Sequence, residues 1–91
     1  MSETVGYQAD FDLHLLKRLK KLKKGDPQLY QRLEKKMEEI LQNPTHFKPL
    51  SNVLKGKRRA HIGSFVIIFS VDEKNQLVFF LEFDHHDKAY G

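Results

Sequence analysis

Four residues in the second half of the chain carry side chains suited to proton transfer and phosphate binding: Arg59, His61, His86 and Tyr90. A histidine with an ordinary pKa of about 6.5 exists in both protonation states near neutrality, so it can accept or donate a proton. Arginine holds two oxygens of one phosphate group through its rigid planar fork. The set can therefore bind a phosphate and move protons beside it, provided that the fold brings its members together.

Positive charge is concentrated in two clusters. The chain has 16 Lys and Arg against 12 Asp and Glu, which gives a formal net charge of +4. Six of the eight positions from 17 to 24 are basic, and this cluster is equally compatible with a solvated helix face. The second cluster, for which we predict phosphate binding, consists of Lys55, Lys57, Arg58 and Arg59. Such an excess favours polyanionic partners, namely RNA, DNA, the ribosome or an acidic protein.

Two helices are predicted in the first half of the chain. Apolar residues recur with a period near 3.6, which predicts a helix over residues 11–23. Asp10 is its predicted N-cap and Gly25 its predicted C-cap. Asp26, which precedes a proline, predicts the start of a second helix that runs to about residue 42. Two helices joined this closely form an antiparallel hairpin.

Extended segments make up the rest. We predict strands at residues 4–8, 58–62, 65–71 and from 77 to 83 or 84, and an extended segment at residues 45–50. The resulting order is β-α-α-β-β-β. It predicts a single α+β domain over residues 1–91, with the helix hairpin on one face of a mostly antiparallel sheet.

Side chains alternate along a strand, so the spacing also predicts which residues share a face. On the last strand, four apolar residues are expected to face the helices: Leu77, Phe79, Leu81 and Phe83. Phe79, Phe80 and Phe83 are all more typical of a core than of a surface on which bases stack. The open face is expected to carry Val66, Ile68, Ser70, Val78, Phe80, Glu82 and Asp84. With Arg59 and His61 on that face, and His86 and Tyr90 just beyond it, the open face is the candidate site.

The chain resembles the RelE/ParE superfamily of bacterial and archaeal toxins in several motifs. These are Leu54-Lys55-Gly56, Arg59-x-His61, Gly63-Ser64-Phe65 and the closing segment 83–90. The resemblance covers nearly the whole chain. It implies a toxin of a type II toxin–antitoxin system that acts in the cytoplasm with no cofactor. Its implied partners are a cognate antitoxin, the ribosome and mRNA, which members of the RelE branch cleave to inhibit translation.

The resemblance also implies roles for individual residues. Metal-independent RNA cleavage uses the ribose 2′-hydroxyl as nucleophile, and it needs a base, an acid and cations on the phosphate. His61 and His86 match histidines of the YafQ-like subgroup and are the candidate base and acid. Arg59 is the candidate phosphate ligand. Tyr90 matches a terminal aromatic that stacks on a base or donates a proton.

Two positions depart from the family pattern. Val66 and Glu82 stand where many relatives carry arginines. The charge that those arginines would supply must then come from Lys55, Arg58 or Arg59. We therefore expect phosphate binding by Lys55, Lys57 and Arg58 in addition to Arg59.

Other functions remain open. One is a ParE-like or inactive relative that acts by binding, as a gyrase poison or as an inert antitoxin partner. Another is a basic RNA-binding module.

A metal site at Asp84-His85-His86-Asp87 is disfavoured, because the two histidines would point to opposite faces of a strand. The chain contains no cysteine, which excludes disulfides and thiolate zinc sites. It also has no apolar run of membrane-spanning length and no visible secretion signal, so we expect no membrane association.

Overall fold

A computed structural model of the chain describes residues 6–49 and 56–89. In chain order its elements are β1 (Gln8–Phe11), α1 (Leu13–Gly25), α2 (Pro27–Gln42), a 3₁₀ turn (Pro44–His46), β2 (Lys57–Ile62), β3 (Phe65–Asp72), β4 (Leu77–His85) and α3 (His86–Ala89). The predicted order is confirmed, with a short helix added at the end. The predictions for Thr4, Val5, Leu50, Lys55 and Tyr90 concern positions outside the described residues.

The four strands form one sheet in the order β1-β4-β3-β2. β1 runs parallel to β4, whereas the other two pairings are antiparallel. α1 and α2 pack on one face of the sheet, which confirms the predicted α+β fold. Across residues 6–49 and 56–89, no helix has the length and apolar character that crossing a bilayer requires.

The first helix begins later than its sequence pattern predicts. Asp10 belongs to β1, where it pairs with Phe79, and the next residue Phe11 stacks on Phe80 at 5.3 Å between ring centroids. This pairing keeps the chain extended through Phe11, so the N-cap is Asp12, whose side chain accepts from a backbone N–H of the first turn at 3.1 Å. The predicted N-cap at Asp10 is therefore wrong. Of the described residues in the strand predicted at 4–8, Gln8 belongs to β1, whereas Gly6 and Tyr7 precede it.

A single residue, Asp26, connects the two helices of the hairpin. The backbone N–H of Asp26 donates to the Leu22 carbonyl at 2.8 Å, and its carboxylate accepts from the Leu29 N–H at 3.1 Å. Asp26 thus ends α1 and caps α2, whose predicted bounds are confirmed. Gly25 is the last helical residue rather than the C-cap. The predicted C-cap is therefore wrong by one position, because Asp26 makes the hydrogen bond that closes α1 as well as capping α2.

The segment after α2 is only partly extended. The predicted extended segment at residues 45–50 is wrong at its start, because Pro44–His46 form a 3₁₀ turn. Proline suits the first position of such a turn because its fixed φ is already helical. Pro49 then forms an antiparallel bridge with Arg58, and the Arg59 N–H donates to the Lys48 carbonyl at 3.2 Å. This segment therefore lies along the outer edge of β2.

The main core lies between the helix hairpin and the sheet. Its buried members are Leu15, Leu19, Leu33, Met37, Ile40, Ala60, Ile62, Ile67, Phe69, Val78, Phe80 and Phe83. A second, smaller cluster consists of Val66 and Ile68 with Leu81 packed against them. Because Val66 pairs with His61 and Ile68 with Arg59, this cluster belongs to the open face. This confirms the assignment of Val66 and Ile68 to the same face as the polar Ser70.

A bulge in β4 reverses part of the predicted face pattern. Ile68 pairs with Glu82 and Phe69 with Phe80, so Leu81 is an extra residue in β4. Before the bulge, Val78 and Phe80 turn toward the helices and are fully buried, while Phe79 is 37% exposed on the open face. The predictions that Leu77, Phe79 and Leu81 face the helices are therefore wrong, and so are the predictions that Val78 and Phe80 do not. Beyond the bulge the predictions are confirmed: Phe83 faces the helices, whereas Glu82 and Asp84 lie on the open face.

Candidate functional site

The open face of the sheet consists of three rows of paired residues. Across β2, β3 and β4 the rows are Lys57–Ser70–Phe79, Arg59–Ile68–Glu82 and His61–Val66–Asp84. Paired residues in a sheet point to the same side, with their Cβ atoms about 5 Å apart. The strand pairing therefore places Arg59, His61, Glu82 and Asp84 on one face, as predicted.

The two candidate acid–base histidines lie against each other. The rings of His61 and His86 are stacked with centroids 5.7 Å apart and planes inclined by 26°. His61 is near the end of β2, whereas His86 is the first residue of α3. The backbone N–H of His86 donates to the Ser64 carbonyl at 2.8 Å, which holds the start of α3 beside the β2–β3 turn. Two residues that are 25 positions apart in sequence are thus brought to one end of the open face.

The environment of His61 favours its neutral form. Burial against the sheet, the positive charge of Arg59 and the neighbouring His86 all lower the pKa of His61 below its ordinary value of 6.5. The apolar side chain of Val66 is its cross-strand neighbour. A neutral imidazole at pH 7 is able to accept a proton, which is the property required of a general base.

The second basic cluster is divided between the two faces of the sheet. Lys57 and Arg59 lie on the open face in line with His61. Arg58 lies on the helix-facing side, where its Nη1 donates to the Phe47 carbonyl oxygen at 2.8 Å and is partly buried. The alternation of a strand therefore leaves Lys57 and Arg59, but not Arg58, pointing toward a ligand on the open face.

One of the open-face carboxylates has a cationic partner from α1. Asp84 Oδ1 lies 3.4 Å from Arg18 Nη2, and it also accepts from the His85 N–H at 2.7 Å. Arg18 thus offsets the negative charge of Asp84, which lies two strands away from His61 in the same row. Its role was missed because Arg18 is 66 positions away from Asp84, and the sequence shows it only as one member of a basic run. Glu82, by contrast, is exposed in the row of Arg59.

The remaining predicted residues of the site fall in different places. Lys55 and Tyr90 lie outside the described residues, so their predicted roles stay predictions. His85 contacts Phe65 edge-on at 5.4 Å, away from His61. Within residues 6–49 and 56–89, no three His, Asp or Glu side chains converge as metal ligands would.

A cavity of about 450 Å³ lies on the other side of the sheet, between α1, α2 and β1. Leu19, Tyr30 and Met37 contribute to its lining. Of the predicted site residues that the structure describes, none borders this cavity. His61, Glu82 and His86 are exposed, so the candidate site lies at the protein surface, where a long polymeric ligand can reach it.

The chain is similar to known toxins in sequence. The family model described as ParE toxin of type II toxin–antitoxin system, parDE, matches residues 10–90. A protein of Methanocaldococcus jannaschii, named as a candidate RelE4 toxin, is 47% identical over 85 residues. That alignment covers 92% of this chain and 90% of the relative.

Solved structures share the fold. RelBE2, a toxin–antitoxin complex from Mycobacterium tuberculosis, contains a chain that matches with a TM-score of 0.77 and 23% identity, over 93% of this chain and 97% of that chain. The archaeal RelE–RelB complex from Pyrococcus horikoshii matches with a TM-score of 0.72 and 19% identity, over 92% and 99% of the two chains. At these identities the structural matches establish the fold, while the sequence matches establish the family.

Proposed function

The chain belongs to the RelE/ParE family of toxins of type II toxin–antitoxin systems, and from this premise we propose that it is a ribosome-dependent endoribonuclease that cleaves mRNA and inhibits translation. The observation that carries this proposal is the stacked pair of His61 and His86 beside Arg59. A protein that acts only by binding has no need of two adjacent titratable rings next to a guanidinium. The 47% identity to a relative named for the RelE branch supports the same choice.

The proposed reaction uses no metal. His61, whose lowered pKa keeps it neutral, removes the proton from a ribose 2′-hydroxyl. The 2′-oxygen attacks the adjacent phosphorus and forms a 2′,3′-cyclic phosphate, while the bond to the 5′-oxygen of the next nucleotide breaks. His86, acting as the general acid, donates a proton to that 5′-oxygen. Arg59 binds the non-bridging oxygens, on which negative charge accumulates in the transition state.

The separation of the rings is compatible with this division of roles. Hydrogen bonds of about 3 Å from each imidazole allow two rings with centroids 5.7 Å apart to reach different oxygens of one phosphodiester. The ribosome is expected to supply the remaining alignment of the mRNA, because the exposed site offers few groups that could position RNA. Lys57 and Arg59 then contact the RNA backbone through charge, and Tyr90 remains a proposed stacking or proton-donating residue.

Replacing the histidines tests the catalytic assignment. His61→Gln and His86→Gln should each lower the single-turnover cleavage rate by about 10²–10⁴-fold, the usual contribution of a general acid or base. Arg59→Lys should also slow cleavage, since an ammonium group cannot hold two phosphate oxygens at once. His14→Gln, an exposed change on α1, is the matched control and should leave the rate unchanged. Wild-type cleavage by both histidine variants, with circular dichroism confirming their folding, would remove the acid–base assignment.

We also propose a cognate antitoxin as partner. The two solved structures described above are toxin–antitoxin complexes. A chain of net charge +4 attracts an acidic antitoxin segment, and such attraction accelerates association at low salt. Co-expression should therefore relieve growth arrest, and the association rate should fall as ionic strength rises. A rate independent of salt would exclude electrostatic steering as the cause of rapid association.

A second candidate is action by binding, as in the ParE branch. The specific observation in its favour is that the matching family model is that of ParE. In addition, Val66 stands where many RelE relatives carry an arginine, and Glu82 stands where the YafQ-like subgroup carries one. This candidate predicts that growth arrest persists in the His61→Gln and His86→Gln variants. The ribonuclease proposal predicts that both variants lose toxicity along with cleavage.

A further inference from the structure

One large aromatic side chain is exposed on the same face as the proposed catalytic residues. Phe79 is 37% exposed, because the register shift at Leu81 turns it away from the helices. Its neighbour in β3 is Ser70, which in turn pairs with Lys57 in β2. Phe79 therefore lies in the row next to that of Arg59.

Charge on the open face is positive on β2 and negative on β4 and β1, with uncharged Val66, Ile68 and Ser70 of β3 between them. β2 presents Lys57 and Arg59, whereas β4 presents Glu82, and Asp10 of β1 is the cross-strand neighbour of Phe79. Strands are spaced by about 4.8 Å, which places Phe79 about 10 Å from β2. A polyanionic backbone is attracted to β2 and repelled by the carboxylates. Its bases are thereby directed across β3 toward β4.

We propose that Phe79 is a stacking platform for a base of the RNA whose backbone follows Lys57 and Arg59. Proteins that bind single-stranded RNA combine a cationic track with exposed aromatic rings in this way. Lys57 and His61 are four residues apart on β2, a distance of about 13 Å. The stacked base therefore belongs to a nucleotide beyond the one that is cleaved. This inference rests on the proposed ribonuclease function and adds a nucleotide subsite to it.

Fluorescence tests the stacking directly. The chain contains no tryptophan, so Phe79→Trp introduces a single indole on which a base can stack. The probe is a 2′-O-methyl RNA hexamer, which has no free 2′-hydroxyl and cannot be cleaved. We expect saturable quenching of this variant by the hexamer. The matched control is Leu16→Trp on α1, because Leu16 is also 37% exposed. Absent quenching of Phe79→Trp, or equal quenching of both variants, would overturn the proposal.

Cleavage gives a second readout. Phe79→Ala should lower the single-turnover kcat/KM on programmed ribosomes by about 5- to 150-fold, the range that stacking of one base provides. Phe79→Tyr should retain activity, whereas Phe79→Leu should not, because it keeps apolar bulk without a ring. Full activity of Phe79→Ala with weakened antitoxin binding would assign Phe79 to a protein interface and overturn the proposal.

The two proposals fail in different ways. Quenching of Phe79→Trp does not depend on catalysis and should be unchanged when His61→Gln is added. Active histidine variants with intact quenching would refute the acid–base assignment and leave the stacking subsite supported. Inactive histidine variants, together with no quenching of Phe79→Trp, would support the acid–base assignment and refute the stacking subsite.

Discussion

Arg58 offers the sharpest test of how strand alternation divides the basic cluster. Its Nη1 donates to the Phe47 carbonyl oxygen at 2.8 Å in a partly buried position. A hydrogen bond from a charged donor contributes about 1.5–3 kcal/mol to folding. Arg58→Met keeps the apolar stem and removes the donor. We expect a loss of about 2 kcal/mol, which lowers Tm by about 8–16 °C in a domain of this size.

The assay is thermal unfolding of the purified toxin followed by circular dichroism. Lys57→Met is the matched control, since it makes the same kind of change one residue earlier on the opposite face. It should leave Tm nearly unchanged and slow cleavage. If Arg58→Met kept the wild-type Tm and instead lost cleavage, the hydrogen bond would be unimportant, and the phosphate-binding role expected from the sequence would apply to Arg58.

Three further outcomes follow from local geometry. By NMR titration, the His61 imidazole should have a pKa below 6.5, so that it gains its proton only as the pH falls below that value. Removing the positive charge by Arg59→Gln should raise this pKa. A pKa above 6.5 for His61 in the native chain would contradict the environment described. Gly63→Ala should destabilise the fold by about 1–2 kcal/mol in urea unfolding, because φ is +61° and the new Cβ would lie 3.1 Å from Arg32 Nη2. Gly25→Ala is the control and should not destabilise the fold, because its new Cβ would have no neighbouring atom within 4 Å. Asp26→Ala should cost about 0.5–2 kcal/mol in the same assay through loss of the α2 cap, and an unchanged midpoint would show that the cap is unimportant.

The sequence was informative where local rules decide the structure. The Asp26-Pro27 start of α2 and the alternation of Arg59 and His61 follow from capping and pleating, which are properties of neighbouring residues. The position of β1 was not predictable in this way, because pairing with β4 keeps Phe11 extended. Long-range pairing competes there with the local helical pattern, and it prevails.

The candidate site shows the same division. The bulge at Leu81 adds one residue to β4, and strict alternation then assigns Phe79 and Phe80 to the wrong faces. The pairing of Arg18 with Asp84 depends on how α1 packs, which no local pattern encodes. The contact between His61 and His86 was anticipated only as a shared face, since α3 is what brings the second ring against the first.

Primer extension on matched transcripts tests the central claim most directly. The same mRNA is incubated with the toxin either alone or on translating ribosomes, using the wild-type chain and the His61→Gln variant. We predict new cleavage ends only on the translated mRNA, and about 10²–10⁴-fold slower cleavage with His61→Gln. Equal cleavage of naked and translated RNA, or growth arrest without any cleavage, would contradict a ribosome-dependent ribonuclease built on the His61–His86 pair.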